Sequence, residues 1–125
     1  MEESSSKIWT HWFEIPVLEM DRARDFFETI FETSIEIHDM GSLKMGIFPH
    51  GEVGCALCQN EWYQPGQEGP LVYMDAGPDL QNVLDRVEEA GGKVIVPKKL
   101  ISEEHGFMAV FIDTEGNRLA LHSMK

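Results

Sequence analysis

The segment Met45-Gly46-Ile47-Phe48 returns as Met108-Ala109-Val110-Phe111, 63 residues further along the chain. Each copy has the alternation of a strand, and each is followed after a turn by another strand-like run, Val53 to Gln59 in the first case and Arg118 to Ser123 in the second. Upstream of the first copy lie a strand over Ser34 to Asp39, a helix over Arg22 to Phe31 and a strand over Thr10 to Val17. The helix carries Ala23, Phe26, Phe27, Ile30 and Phe31 at helical spacing behind Asp21 as N-cap. Upstream of the second copy the order repeats: Leu71 to Ala76, a helix over Asp79 to Ala90 with Leu80, Val83, Leu84 and Val87 on one face, a Gly91-Gly92 stop, and a strand over Lys93 to Ile101. Both halves therefore read strand, helix, strand, strand, strand, and the economical reading is a duplicated unit. This predicts an α+β domain over 1–125, with module one near 8–60, module two near 70–124 and a flexible tail over 1–6. One helix covers one face of each four-stranded sheet, so the opposite face is expected to meet its twin or to enclose a ligand in a cup.

With 125 residues, 42% of them hydrophobic and 26% charged, the chain is one globular domain and no multidomain enzyme. Ten Lys and Arg against 22 Asp and Glu give a formal net charge of −12. That balance removes the phosphate attraction that nucleic acids and anionic membranes require, so neither is expected as a partner. Met1 to Lys7 lacks the apolar run of a signal peptide and nothing approaches a membrane span, which predicts a cytoplasmic protein. Cys55 and Cys58 form a C-x-x-C, but on a strand residues three apart face opposite ways about 10 Å apart, so two small buried residues are expected rather than a redox pair. No dinucleotide fingerprint, P-loop or nucleophile elbow is present.

Four motifs occur in order along nearly the whole chain: Phe13-Glu-Ile-Pro-Val17, Met20-Asp-Arg-Ala-Arg-Asp-Phe-Phe27, Val87-Glu-Glu-Ala-Gly-Gly-Lys-Val94 and Phe111-Ile-Asp-Thr-Glu-Gly-Asn117. In these the sequence resembles the vicinal oxygen chelate superfamily, also called glyoxalase/bleomycin resistance protein/dioxygenase, and within it the group related to lactoylglutathione lyase. The resemblance implies two tandem βαβββ modules in a partly closed, mostly antiparallel barrel, usually as a homodimer. It also implies, in metal-dependent members, four His, Glu or Gln ligands from the first and last strands of both modules. Carried over position by position, these fall on Trp12, Ala56 or Leu57, Val72 and Ala120, none of which binds a metal. No metal and no other cofactor is therefore expected.

Strand parity adds Glu14, Cys58, Met74 and His122 to the same lining. Glu14, in a strand expected to be buried, is a candidate general base or clamp for a substrate donor; the plainer alternative is a rim carboxylate bonded to backbone or to Arg118. His122, between Leu121 and Ser123, is expected on the cup side as a proton shuttle or a structural group. Trp62, Tyr63 and Phe107 read as lid aromatics, loop anchors or dimer contacts, while His50 and His105 belong to turns. The expected pocket is thus Trp12, Cys58, Trp62, Val72, Met74, Phe107 and Ala120 around Glu14 and His122.

This pattern favours a metal-free protein that binds, and in doing so sequesters, a small organic molecule. A metal-independent lyase or isomerase moving protons with Glu14 and His122 comes second, and a metal-dependent glyoxalase or dioxygenase third. If Glu14 and His122 serve a ligand, Glu14→Gln and His122→Ala leave the thermal melting profile nearly unchanged; a loss of several degrees marks a structural role.

Overall fold

The computed structural model describes residues 6–125, so all but the last residue of the expected 1–6 tail lies outside the described residues. The element order is β1 (Trp12–Pro16), α1 (Met20–Phe31), β2 (Glu36–Asp39), β3 (Lys44–Ile47), β4 (Gly54–Gln59), β5 (Tyr73–Asp75), α2 (Leu80–Val87), β6 (Lys93–Ser102), β7 (Gly106–Ile112) and β8 (Arg118–Ser123). The two βαβββ units are present in the expected order. Their strands form two four-stranded mixed sheets, β1-β4-β3-β2 and β5-β8-β7-β6, in which the first strand of each unit runs parallel to the last. Among the described residues the strands of one sheet are not hydrogen-bonded to those of the other, so the barrel is only partly closed, as the resemblance implies.

Both helices bury their apolar stripes in one continuous core. Met20, Ala23, Phe26, Phe27 and Ile30 of α1 and Leu80, Val83, Leu84 and Val87 of α2 join Ile15, Leu57, Phe111, Leu119 and Leu121 from the sheets. The ring of Phe26 lies 6.0 Å from that of Phe111, so the core crosses from one unit to the other. Gly92 makes this approach possible, because a Cβ there would sit 2.6 Å from the Ile112 carbonyl oxygen and 2.8 Å from the Phe26 ring.

α1 begins at Met20, with Glu19 as N-cap, two residues before the start expected from Asp21. The reason lies outside the helix. Its first N–H groups need acceptors, and distant side chains supply them: Glu115 Oε1 accepts from Leu18 N at 2.8 Å and Glu19 N at 2.9 Å, and Gln59 Oε1 accepts from Met20 N at 2.7 Å. Arg22 grips the same Glu115 carboxylate through Nε at 2.7 Å and Nη2 at 2.9 Å. α2 is shorter than expected, ending at Val87, with Asp79 as its N-cap accepting from Gln81 N.

The Glu115 side chain is fully enclosed. Burial alone would raise its pKa, but the Arg22 guanidinium, the Glu19 and Leu18 amides and the Thr114 hydroxyl outweigh burial and hold it at about 2. A carboxylate depressed in the folded state contributes stability that is present above its unfolded pKa and disappears as pH falls through the folded value. Stability measured by urea unfolding therefore declines from about pH 4.5 toward about pH 2. Glu115→Gln costs about 3 kcal/mol at neutral pH and flattens that acid limb.

Candidate functional site

In β1 the residues Ile15 and, beyond the strand, Val17 face the core, which leaves Trp12, Glu14 and Pro16 on the face that no helix covers. The register sets Glu14 opposite Ala56 and Pro16 opposite Cys58 on β4, and β3 continues the same face with Ile47 beside Ala56 and Met45 beside Cys58. The second unit repeats the plan: Tyr73 lies opposite Ala120 and Asp75 opposite His122, with Val110 and Met108 next across the ladder. Ala56, Cys58 and Ala120 are fully buried floors of these faces.

Glu14 is exposed rather than buried, and both of its oxygens are occupied. Tyr63 donates its hydroxyl to Oε1 at 2.6 Å, and the Trp12 indole donates Nε1–H to Oε2 at 3.1 Å. These partners replace the backbone or Arg118 partner considered from sequence, since Arg118 donates instead to the Gly69 carbonyl at 2.8 Å. The bond to Glu14, followed by desolvation, raises the Tyr63 pKa. Burial first, then the neighbouring Glu14 charge, pushes the Cys58 thiol up to about 12, with the Tyr63 hydroxyl acting against them. Trp12, Glu14, Tyr63 and Cys58 therefore form one cluster in which the only charge is the carboxylate. A cleft of about 450 Å³ opens beside it, lined among others by Glu14, Gln64, Gln67, Val72 and Arg118, a size suited to a small ligand.

Val72 packs against the core and also lines the cleft beside Glu14, as expected. Met74 lies elsewhere, in the core opposite Leu121, so the face assigned to it on β5 is corrected. Tyr73 and Asp75 are the residues that share a face with Ala120 and His122; the charge of Asp75 between two apolar neighbours was the signal for it. Phe107 also packs on the core, beneath the Lys98 ammonium 4.5 Å from its ring centroid. Trp62 is 82% exposed beside Tyr63. His122 Nε2 lies 2.6 Å from the His105 carbonyl oxygen; a carbonyl only accepts, so Nε2 carries the proton. That bond revises the expectation for His122→Ala, which loses about 1 kcal/mol. Glu14 and His122 share no hydrogen bond or ion pair.

The residues do not fit the metal centre that the fold family implies. On the four strands concerned the uncovered face bears Trp12 and Glu14, Ala56 and Cys58, Tyr73 and Asp75, Ala120 and His122. Among the described residues no three His, Cys, Asp or Glu side chains gather as a metal site. The C-x-x-C is no exception, for both thiols are free, Cys55 faces the core, and Cys58 faces Glu14.

Comparison with solved structures gives the architecture its place. The chain matches a glyoxalase/bleomycin resistance protein from Albidiferax ferrireducens T118 with a TM-score of 0.70 at 12% identity, over 89% of this chain and 94% of that one. The protein has the vicinal oxygen chelate fold. The same fold is shared with the genomically encoded fosfomycin resistance protein FosX from Listeria monocytogenes, at a TM-score of 0.69 and 12% identity over 96% of this chain and 92% of that one. TnmS3, an antibiotic binding protein from Streptomyces sp. CB03234, matches at 0.67 and 21% identity over 96% and 98%. No protein-family model matches the sequence, and no match is found among curated proteins. Among the described residues no helix is long and apolar enough to cross a membrane.

Burial raises the Cys55 thiol to about 12 as well, so neither cysteine forms an appreciable thiolate in the folded protein. Near pH 8 both react with a chromogenic disulfide reagent only in denaturant; a fast-reacting thiol in the native protein would contradict the burial of that cysteine.

Proposed function

We propose that this vicinal oxygen chelate protein binds a small organic molecule against Trp12, Glu14 and Tyr63 without a metal ion, and thereby sequesters it. The observation that carries the reading is the Glu14 carboxylate, held in place by two aromatic donors over the fully buried floor of Ala56 and Cys58. Such a site offers aromatic surface and a fixed carboxylate at a cleft that Glu68 and Arg118 also line, and at Glu14 it recognises a planar ligand with a cationic or strongly donating nitrogen. The net charge of −12 favours the same ligands at long range. A fold shared with an antibiotic binding protein supports binding as a use of this architecture.

The alternative, proton transfer by Glu14 and His122 in a lyase or isomerase, requires the two to meet one substrate. Glu14 is engaged by Tyr63 and Trp12 and His122 Nε2 by the His105 carbonyl, with no hydrogen bond or ion pair between the two residues, which favours binding. The proposal includes a homodimer: within the chain β1, β2, β5 and β6 each lie at the edge of a sheet and pair on one side only. Native mass spectrometry reads that state directly.

The test of the ligand class is a tryptophan-quenching titration of chelator-treated protein with two aromatic dyes, cationic thioflavin T and anionic anilinonaphthalene sulfonate. The cation binds at least about tenfold tighter, and Glu14→Gln abolishes the difference without loss of fold. Binding that returns only on adding a divalent ion, or a cation preference that survives Glu14→Gln, overturns the reading.

A further inference from the structure

A larger cleft, of about 550 Å³, is lined by residues of both β1 and β5, which do not pair, and shares no lining residue with the cleft beside Glu14. Its walls come from both units: Phe13, Phe31, Phe48 and Cys55 from the first and Met74 from the second. Phe48, Cys55 and Met74 belong to the buried core and Phe13 and Phe31 pack against it, so the cleft reaches into the protein's apolar interior.

The polar groups at this cleft are unlike those beside Glu14, because no lysine or arginine lines it. Its ionisable lining residues besides Tyr73 and Cys55 are Asp75 and His50. Asp75 accepts the Gly77 N–H on Oδ1 at 2.9 Å, and its Oδ2 has no partner among the described residues. His50 Nδ1 lies 2.8 Å from the Gly51 carbonyl oxygen, and a carbonyl only accepts, so Nδ1 is the donor and Nε2 is the ring nitrogen left for a ligand. The imidazole is fixed in this pose: it sits directly over Gly54, where a Cβ would fall 2.5 Å from its ring, and edge-on to Trp12 at 5.5 Å. The Asp75 carboxylate and the His50 ring nitrogen thus stand at the rim of an apolar hole that no described lysine or arginine lines.

We propose that this cleft is a second ligand site, specific for arylalkylamines, whose ring lies among Phe13, Phe48 and Met74 and whose ammonium donates to Asp75 and His50. Ring burial supplies the affinity and the carboxylate selects the charge, since a carboxylate ligand would meet Asp75 with like charge. The cleft shares no lining residue with the one beside Glu14, although His50 meets Trp12 edge-on, and the proposal stands whether or not Glu14 binds a ligand.

The test uses three probes of one shape, phenethylamine, 2-phenylethanol and phenylacetate, titrated into the isotopically labelled full chain and followed by amide chemical shifts. Phenethylamine shifts the amides of Phe13, Phe48 and Tyr73 to Asp75 and binds at least about tenfold tighter than phenylacetate. Asp75→Asn, which keeps the Oδ1 acceptor for Gly77, weakens phenethylamine about tenfold and leaves 2-phenylethanol unchanged. Val53→Trp, at a half-exposed lining position, fills the cleft and weakens both at unaltered melting temperature. Equal affinity for phenylacetate, shifts centred on Cys58 and Tyr63 instead, or no saturation by about 10 mM phenethylamine overturns the proposal.

Discussion

The carboxylate of Glu115 is the point on which the two units are joined. It belongs to the β7–β8 turn of the second unit, yet its oxygens accept from Leu18 N, Glu19 N and the Nε and Nη2 of Arg22 at the start of the first unit's helix. The turn that presents it is itself pinned from within, because Asp113 Oδ1 accepts from Glu115 N and Asn117 N. Asp113 and Glu115 are driven in opposite directions. Burial raises Asp113 against its hydrogen bonds, whereas the donors around Glu115 overcome burial and lower it. A charge enclosed this way is stable only while every donor stays in place, which makes the joint geometrically exacting.

The same turn reaches the candidate site through Asn117. Its Nδ2 donates to the Pro16 carbonyl at 2.7 Å and its Oδ1 accepts from Gly66 N at 3.0 Å. Pro16 stands two residues from Glu14, and Gly66 three residues from Tyr63. One amide side chain therefore fixes the strand that carries the carboxylate and the loop that carries its phenol partner. The 2.6 Å contact between Glu14 of the first unit and Tyr63 of the segment joining the units is thus set from the second unit.

What the sequence made legible was local or periodic. The Phe26, Phe27, Ile30 stripe and the Met45 and Met108 repeat announce their elements because burial imposes a period, and the duplication fixes the order of the rest. The separation of Cys55 from Cys58 followed from strand geometry alone, and the two thiols do lie on opposite faces. The parity of β5 was lost because Leu71, Val72, Tyr73 and Met74 are all apolar and show no alternation. Contacts between distant segments left no trace. Glu115 lies in a motif that was plain to see, but its partners are 93 to 97 residues away, and Tyr63 is 49 residues from Glu14.

Ala56 and Ala120 hold matching places in the two ladders, each fully buried beside the first strand of its unit. Enclosure at both places makes them intolerant of polar replacement. A carboxylate or imidazole set at either one would stand without a partner in a site closed to water, at a cost of several kcal/mol, so the chemistry of each face rests on the side chains around these two methyl groups and not on the positions themselves.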